Sequence, residues 1–273
     1  MTHIDATSPS PDGTEQDGPP SGVPEVRAVT RAISILRAFG AEKRFWALSE
    51  LTRRSGLDKG TVRRILHTLR LSGLVAVHSP SQTYELTLGL LELASAIHRG
   101  TDLQTMARPY LSDLAEMVGG TAFLWVFERG KGVCLDRVSA PNSIITTIIS
   151  AGNRTTLNCG AAPRVLPDYI SEEERNAALA EPQAIRTAHS VTDPQDLRAI
   201  ACAIRDRGYE YVVDDFIIGL AALGVPIFSQ NGDFVGAISV TNLTDRIDFA
   251  DEHSPLLKSL QDAAHRLSIA PRL

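Results

Sequence analysis

The sequence predicts an α+β protein: an N-terminal winged helix-turn-helix followed by a sandwich-like α/β domain, with helices packed on a curved antiparallel sheet. Three observations predict it. A basic block near the N-terminus has helical periodicity and runs into a short hairpin pattern. An amphipathic stretch then separates this block from the rest, and the remaining residues alternate paired strands with helices. The divisions that follow are 1–24 as a disordered arm, 25–87 as the winged domain, 88–101 as a linker helix and 102–273 as the larger domain.

Composition sets the class. The chain has 273 residues, 43% hydrophobic and 22% charged, which is the balance of a globular protein with room for two domains. Its apolar stretches are too short or too interrupted to span a bilayer, and no basic-then-apolar leader opens it, so a cytoplasmic protein without membrane contact is expected. Three widely spaced cysteines form neither a disulfide framework nor a metal knuckle. The net charge of −5 is unevenly spread: residues 1–26 carry −5, residues 27–73 carry +8 and the remainder carries −8. An acidic protein with one basic block has a directed cationic surface, not a general affinity for polyanions.

The arm holds five of the fifteen prolines and little apolar surface, too little to offset the entropy of ordering it. From Glu25 the pattern is helical, with Val26, Val29, Ile33, Leu36 and Phe39 at three- and four-residue spacing and Gly40 as the stop. Ser49 is placed to cap a short second helix reaching Arg54. Ser55, Gly56 and Leu57 make a turn, and Asp58 is placed to cap a third helix with Val62, Ile65, Leu66 and Leu69 inward. Gly73 ends it. Strands at 74–77 and 83–86 enclose a turn-forming segment and make a wing. An amphipathic helix at 88–98 follows, with one side free to pack on a second subunit.

Farther on, helices are expected at 103–118, 161–169, 172–179, 193–207 and 252–267. Strands are expected at 121–128, 132–139, 209–213, 220–228 and 234–241, with a β-rich run at 144–149. Adjacent strands in antiparallel pairs favour one sheet with helices on it.

With its apolar residues inward, the third helix presents Lys59, Arg63, His67 and Arg70 on the opposite face, flanked by Thr61, Arg64 and Thr68. Such a face suits a major groove, where an arginine fork on guanine contributes about 1–3 kcal/mol of discrimination. Lys59, Gly60 and Thr61 open the helix, where amides also favour phosphate. Ser81 and Gln82 at the wing tip are polar but uncharged. Double-stranded DNA is thus the expected partner of Ser49, Lys59, Gly60, Thr61, Arg63, Arg64, His67, Thr68, Ser81 and Gln82.

These residues also carry a resemblance. Arg31-Ala32 with Ile35-Leu36, the segment 48–51, the run 56–66, and Leu69, Gly73 and the segment 84–86 resemble the DNA-binding domain of IclR-type transcriptional regulators, and the likeness extends over most of 26–268. Asp58 and Gly60 stand where that family often has Pro and Ser. Gly60 costs about 0.5–1 kcal/mol of helix propensity.

In the larger domain, residues 158–162 are small and open a helix, which leaves amides accessible to an anion. Asp214-Asp215 ends a strand, residues 219–224 are small, and Ser239 and Thr241 share one strand face. Together they suit a small organic acid or related polar metabolite. The resemblance implies an effector pocket at Gly160, Ala161, Asp215, Gly219, Leu220, Ala222, Ser239 and Thr241. Ala222 stands where a polar or thiol residue can occur in that family, and Pro167 interrupts a segment usually helical throughout, which implies a late start or a bend.

The expectation is therefore a regulator, a homodimer or dimer of dimers on a pseudo-palindromic operator, tuned by a small-molecule effector and needing no cofactor or metal. The alternative is a metabolic enzyme of hydrolase type, for which the sequence shows no nucleophile elbow, dinucleotide turn, zinc-protease helix or phosphate loop.

Overall fold

The computed structural model describes residues 24–268 except 40–42, 96–97, 144–148, 248 and 250. The arm over 1–23, the Gly40 stop and most of the β-rich run at 144–149 therefore lie outside the described residues. The chain forms two compact units, 1–94 and 95–273. Among the described residues no helix is long and apolar enough to cross a membrane.

The first unit contains α1 (Arg27–Ala38), α2 (Leu48–Ser55), α3 (Lys59–Leu71), strands β1 (Val75–His78) and β2 (Thr83–Leu86), and a short α4 (Gly89–Ala94). β1 and β2 pair antiparallel from Val75 opposite Leu86 to His78 opposite Thr83, and Trp46 joins β2 through two 2.8 Å backbone bonds with Tyr84. Ile35, Trp46, Leu51, Val62, Leu66 and Val75 form the buried core that fixes the three helices against the wing.

Two local readings need correction. Ser49 does not cap α2; the helix starts one residue before it, and Glu50 reaches back to accept from the Ala47 amide at 2.8 Å. A carboxylate three residues into the helix does the job that the hydroxyl was expected to do. In α1, Ile35 and Ala38 face the core, whereas Val29 and Ile33, with Val26 just before the helix, remain exposed. The apolar periodicity of that helix describes two stripes, and among the described residues of this unit one of them has no cover. The linker helix expected at 88–101 also differs. α4 is only six residues long, and residues 98–101 form the opening turn of α5 (His98–Val118) in the second unit.

The second unit is built on a six-stranded sheet. Its strands are β3 (Thr121–Glu128), β4 (Lys131–Ser139), β5 (Arg154–Thr155), β6 (Glu210–Val213), β7 (Leu220–Phe228) and β8 (Phe234–Leu243), in the order β5-β4-β3-β8-β7-β6 with every neighbour antiparallel. Alternation sorts the side chains by face. Ile238 and Val240 of β8, with Leu124 of β3, join α5 and α9 (Pro255–Ser268) in one core. Phe123 and Trp125 of β3, with Ala237 of β8, join the other core under α6 (Ala161–Tyr169). α7 (Glu172–Ala180) and α8 (Pro194–Arg207) follow, and α8 packs on α6. α6 begins at Ala161 despite Pro167, so the late start implied by the resemblance does not occur.

One glycine sets the height of α6 above the sheet. A Cβ on Gly224 of β7 would lie 2.9 Å from the Ala162 amide nitrogen and 3.1 Å from the Ala161 carbonyl carbon. Gly224→Ala is expected to push the start of α6 off the sheet and to destabilise the chain by about 1–3 kcal/mol, read as a lower midpoint in thermal unfolding. An unchanged midpoint would show that the helix rises freely.

Candidate DNA-contacting surface and effector cavity

α3 is anchored at its start by Asp58, whose Oδ1 accepts from the Thr61 amide at 2.8 Å. Interaction with the Thr61 hydroxyl and then its amide holds the Asp58 carboxyl below the usual carboxylate range. Val62, Leu66 and Leu69 are buried, which turns Lys59, Arg63, Arg64, His67, Thr68 and Arg70 outward. Among the described residues none of these four cations forms an ion pair. Arg64 Nη2 instead donates to Thr61 Oγ1 at 3.3 Å. Four positive charges therefore face solvent on one helix, and among the described residues none is held in a carboxylate ion pair.

Thr61 departs from expectation. It is 8% exposed, and its hydroxyl holds the Arg64 guanidinium. It is a support for that arginine and does not face outward. Gly60 lies exposed in the first turn, Ser49 lies exposed on α2, and Thr68 donates its hydroxyl to the Arg64 carbonyl at 3.2 Å. At the wing tip Ser81 and Gln82 are exposed, the Ser81 hydroxyl lies 2.8 Å from that of Thr83, and Gln82 has φ 54°.

In the second unit a cavity of about 570 Å³, counting its open mouth, lies at the start of α6. Gly160 and Ala161 form its helix end, Leu220 and Ala222 of β7 and Ser239 and Thr241 of β8 form its floor, and Asp215 borders it. Gly219 is absent from the lining among the described residues. It sits exposed in the 214–219 turn at φ 86°, its amide donating to Asp214 Oδ1 at 2.5 Å, so it shapes the turn and does not face the cavity. The aromatic walls Phe123, Trp125 and Phe216, and Ile149 and Ile217 beside them, were not singled out by sequence. The strand alternation that placed Ser239 on its face places Phe123 opposite it in register, and that signal could have found the wall.

The polar groups divide into engaged and free. Thr241 donates its hydroxyl to the Ala221 carbonyl at 2.7 Å, leaving lone pairs to accept. Ser239 is 4% exposed, and its hydroxyl makes no hydrogen bond to any described residue. Asp215 is 3% exposed, and both its oxygens are engaged: Oδ2 accepts from the Gly160 amide at 2.5 Å and Oδ1 from Arg164 Nη2 at 2.6 Å. One of the helix-opening amides expected to be accessible to an anion, that of Gly160, is thus occupied by the chain's own carboxylate. Arg164 continues to Glu210 at 3.3 Å, and Arg207 pairs with the other Glu210 oxygen. Burial, with the Asp215 charge second, pushes the Cys159 thiol at the cavity wall up.

A family model described as the IclR helix-turn-helix domain matches residues 28–79, and one described as the bacterial transcriptional regulator IclR C-terminal domain matches residues 94–269. The chain belongs to the IclR family. The regulator XynR of Escherichia coli K12 is 25% identical over 91% of this chain and 98% of its own length. The glycerol operon regulatory protein of Streptomyces coelicolor is 27% identical over 89% and 95%. An IclR-type regulator from Silicibacter sp. TM1040 superposes with a TM-score of 0.72 at 25% identity, covering 88% of this chain and 94% of that one. An IclR homologue from Microbacterium hydrocarbonoxydans, solved in complex with 4-hydroxybenzoate, shares the fold with a TM-score of 0.74 at 22% identity, over 88% and 97%. This IclR-type regulator therefore joins a helix-turn-helix DNA-binding domain to an effector-binding C-terminal domain of curled antiparallel sheet and helices.

Proposed function

We propose that this regulator reads a pseudo-palindromic operator as a homodimer or dimer of dimers, with α3 in the major groove. Lys59, Gly60, Arg63, Arg64, His67 and Thr68 would make the groove contacts, with Ser49, Ser81 and Gln82 on the backbone and Thr61 holding Arg64. The observation that carries the reading is the row of unpaired, exposed cations on α3. The exposed Val26 at the N-cap of α1, Val29 and Ile33 of α1, and Leu91 and Leu93 of α4 support pairing of subunits through the first unit, because such apolar surface is stabilised by mutual burial. Two recognition helices would then lie about one DNA turn, roughly 34 Å, apart. Band-shift titration on operator DNA over a range of salt tests this: affinity falls steeply with salt, with a slope near −0.9 per phosphate neutralised. A flat salt dependence would exclude the surface.

The cavity is read as the effector site, since it joins apolar walls to a buried hydroxyl that has no partner among the described residues. Ser239→Ala with Thr241→Val is expected to abolish effector-induced thermal stabilisation and the effector's influence on operator affinity, with operator binding itself unchanged. Loss of both activities would place these residues in the fold and not in sensing. The effector acts only through its different affinity for the operator-binding and non-binding arrangements. We read the protein as cytoplasmic and non-enzymatic. The Cys159 thiol is raised by burial, and Ser239 has no base within hydrogen-bond reach among the described residues, so neither cavity nucleophile is activated.

A further inference from the structure

Two consecutive residues of β4 point to opposite faces of the sheet. Asp136 stands opposite Leu124 in register, on the face packed by α5 and α9, and Arg137 stands opposite Phe123, on the cavity face. Both Asp136 oxygens accept from Arg108 Nη1 of α5, at 3.2 and 2.9 Å, and Oδ1 also accepts from the Arg137 amide at 2.8 Å. Arg137 in turn donates Nη1 to the Ile149 carbonyl at 2.6 Å and Nη2 to Ser139 Oγ at 3.1 Å. Ile149 and Phe123 are both cavity walls. One dipeptide thus holds a helix on one side of the sheet and the cavity wall on the other.

The register between β3 and β4 shifts just before this dipeptide. Leu124 faces Asp136 but Trp125 faces Cys134, so Leu135 is the extra residue of a β-bulge, which interrupts the ladder and re-aims its neighbours. On α5, Pro109 follows Arg108 directly. It has no amide to give the Thr105 carbonyl and its ring crowds that carbonyl, so the helix is weakened at the level of Arg108. Arg108 is exposed and Asp136 is buried, and the Arg137 amide stays on Asp136 when the guanidinium leaves. The pair therefore parts without leaving the carboxylate wholly unpartnered. Along the chain only residues 95–97 separate the start of α5 from the first unit. We propose that Asp136 and Arg137 are positioning residues that couple the cavity to α5. A ligand that displaces the Ile149 wall pulls on Arg137, shifts the bulged strand and loosens the Arg108–Asp136 pair, which frees the first turns of α5 and the chain leading to the DNA-reading helices. This rests on the cavity being the effector site, but its test needs no effector.

Hydrogen–deuterium exchange of the full-length protein reads the coupling from both ends. Arg137→Ala, on the cavity face, is expected to speed exchange in residues 98–108 of α5 at least about threefold. Arg108→Ala, on the α5 face, is expected to speed it by a similar factor in residues 149–153, where the Gly152 and Asn153 amides are bonded, because coupling between two sites is reciprocal. Exchange in β7, β8 and α9 stays at the wild-type rate, and Arg108→Lys, which keeps the charge, holds residues 149–153 near it. In band shifts both alanine variants change operator affinity about fivefold in the same direction, and the double variant no further than the larger single. An effect confined to the substituted side overturns the coupling, as does a rise spread evenly over the unit, which marks general loosening. Coupled exchange with unchanged operator affinity overturns the regulatory role. If Arg137→Ala does not fold, Arg108→Ala, at an exposed residue, decides alone. Failure of the cavity as effector site would show instead in the Ser239→Ala, Thr241→Val variant and would leave these exchange rates as they are.

Discussion

The Arg63→Ala, Arg64→Ala double variant is expected to lose operator-specific binding while its thermal unfolding midpoint stays within a degree or so of the wild type. Both side chains are exposed and among the described residues neither is in an ion pair, so their loss costs little beyond the long Arg64–Thr61 bond. Two base contacts at about 2 kcal/mol each amount to roughly a thousandfold in affinity per recognition helix. Nonspecific binding weakens less, because Lys59 and Arg70 remain. Competition band shifts with operator and scrambled DNA measure the ratio. A double variant that still discriminates the operator would remove α3 from sequence reading. Arg64 is expected to matter more than Arg63, since Thr61 holds its guanidinium and less freedom is lost on contact.

Arg164→Ala is expected to destabilise the second unit by about 3–5 kcal/mol, the range for removing one partner from a buried ion pair. The guanidinium is 9% exposed, and without it Asp215 and Glu210, at 3% and 4%, keep their charge with less compensation. For a unit of this size that corresponds to a drop of about 6–20 °C in melting temperature. Combining Arg164→Ala with Asp215→Asn is expected to recover part of the loss, because the stranded charge goes with its partner. Equal midpoints for single and double variants would mean that Arg164 acts through packing alone.

Much of the fold was legible because its signals are local. The pattern of α3 and its Asp58 cap, the start of α6 at Ala161, and β7 over 220–228 follow from periodicity and from residues a few positions apart. The misreadings have a common physical origin. Whether Ser49 or Glu50 serves the amides of α2 depends on where the preceding turn delivers the chain, which is fixed by Trp46 pairing with Tyr84. Which stripe of α1 is buried depends on what Leu51 and Leu66 leave uncovered. The state of Asp215 depends on Arg164, 51 residues earlier, and on Gly160, 55 residues earlier. A sequence shows that a helix start can receive an anion; it does not show that the anion arrives from the same chain.

That internal seat also bears on how such a sensor diversifies. Aspartate and asparagine codons differ by a single base, and the exchange at position 215 keeps the outline of the side chain while releasing a buried arginine. One point mutation would therefore change the charge that borders the cavity while leaving the DNA-binding domain's sequence untouched.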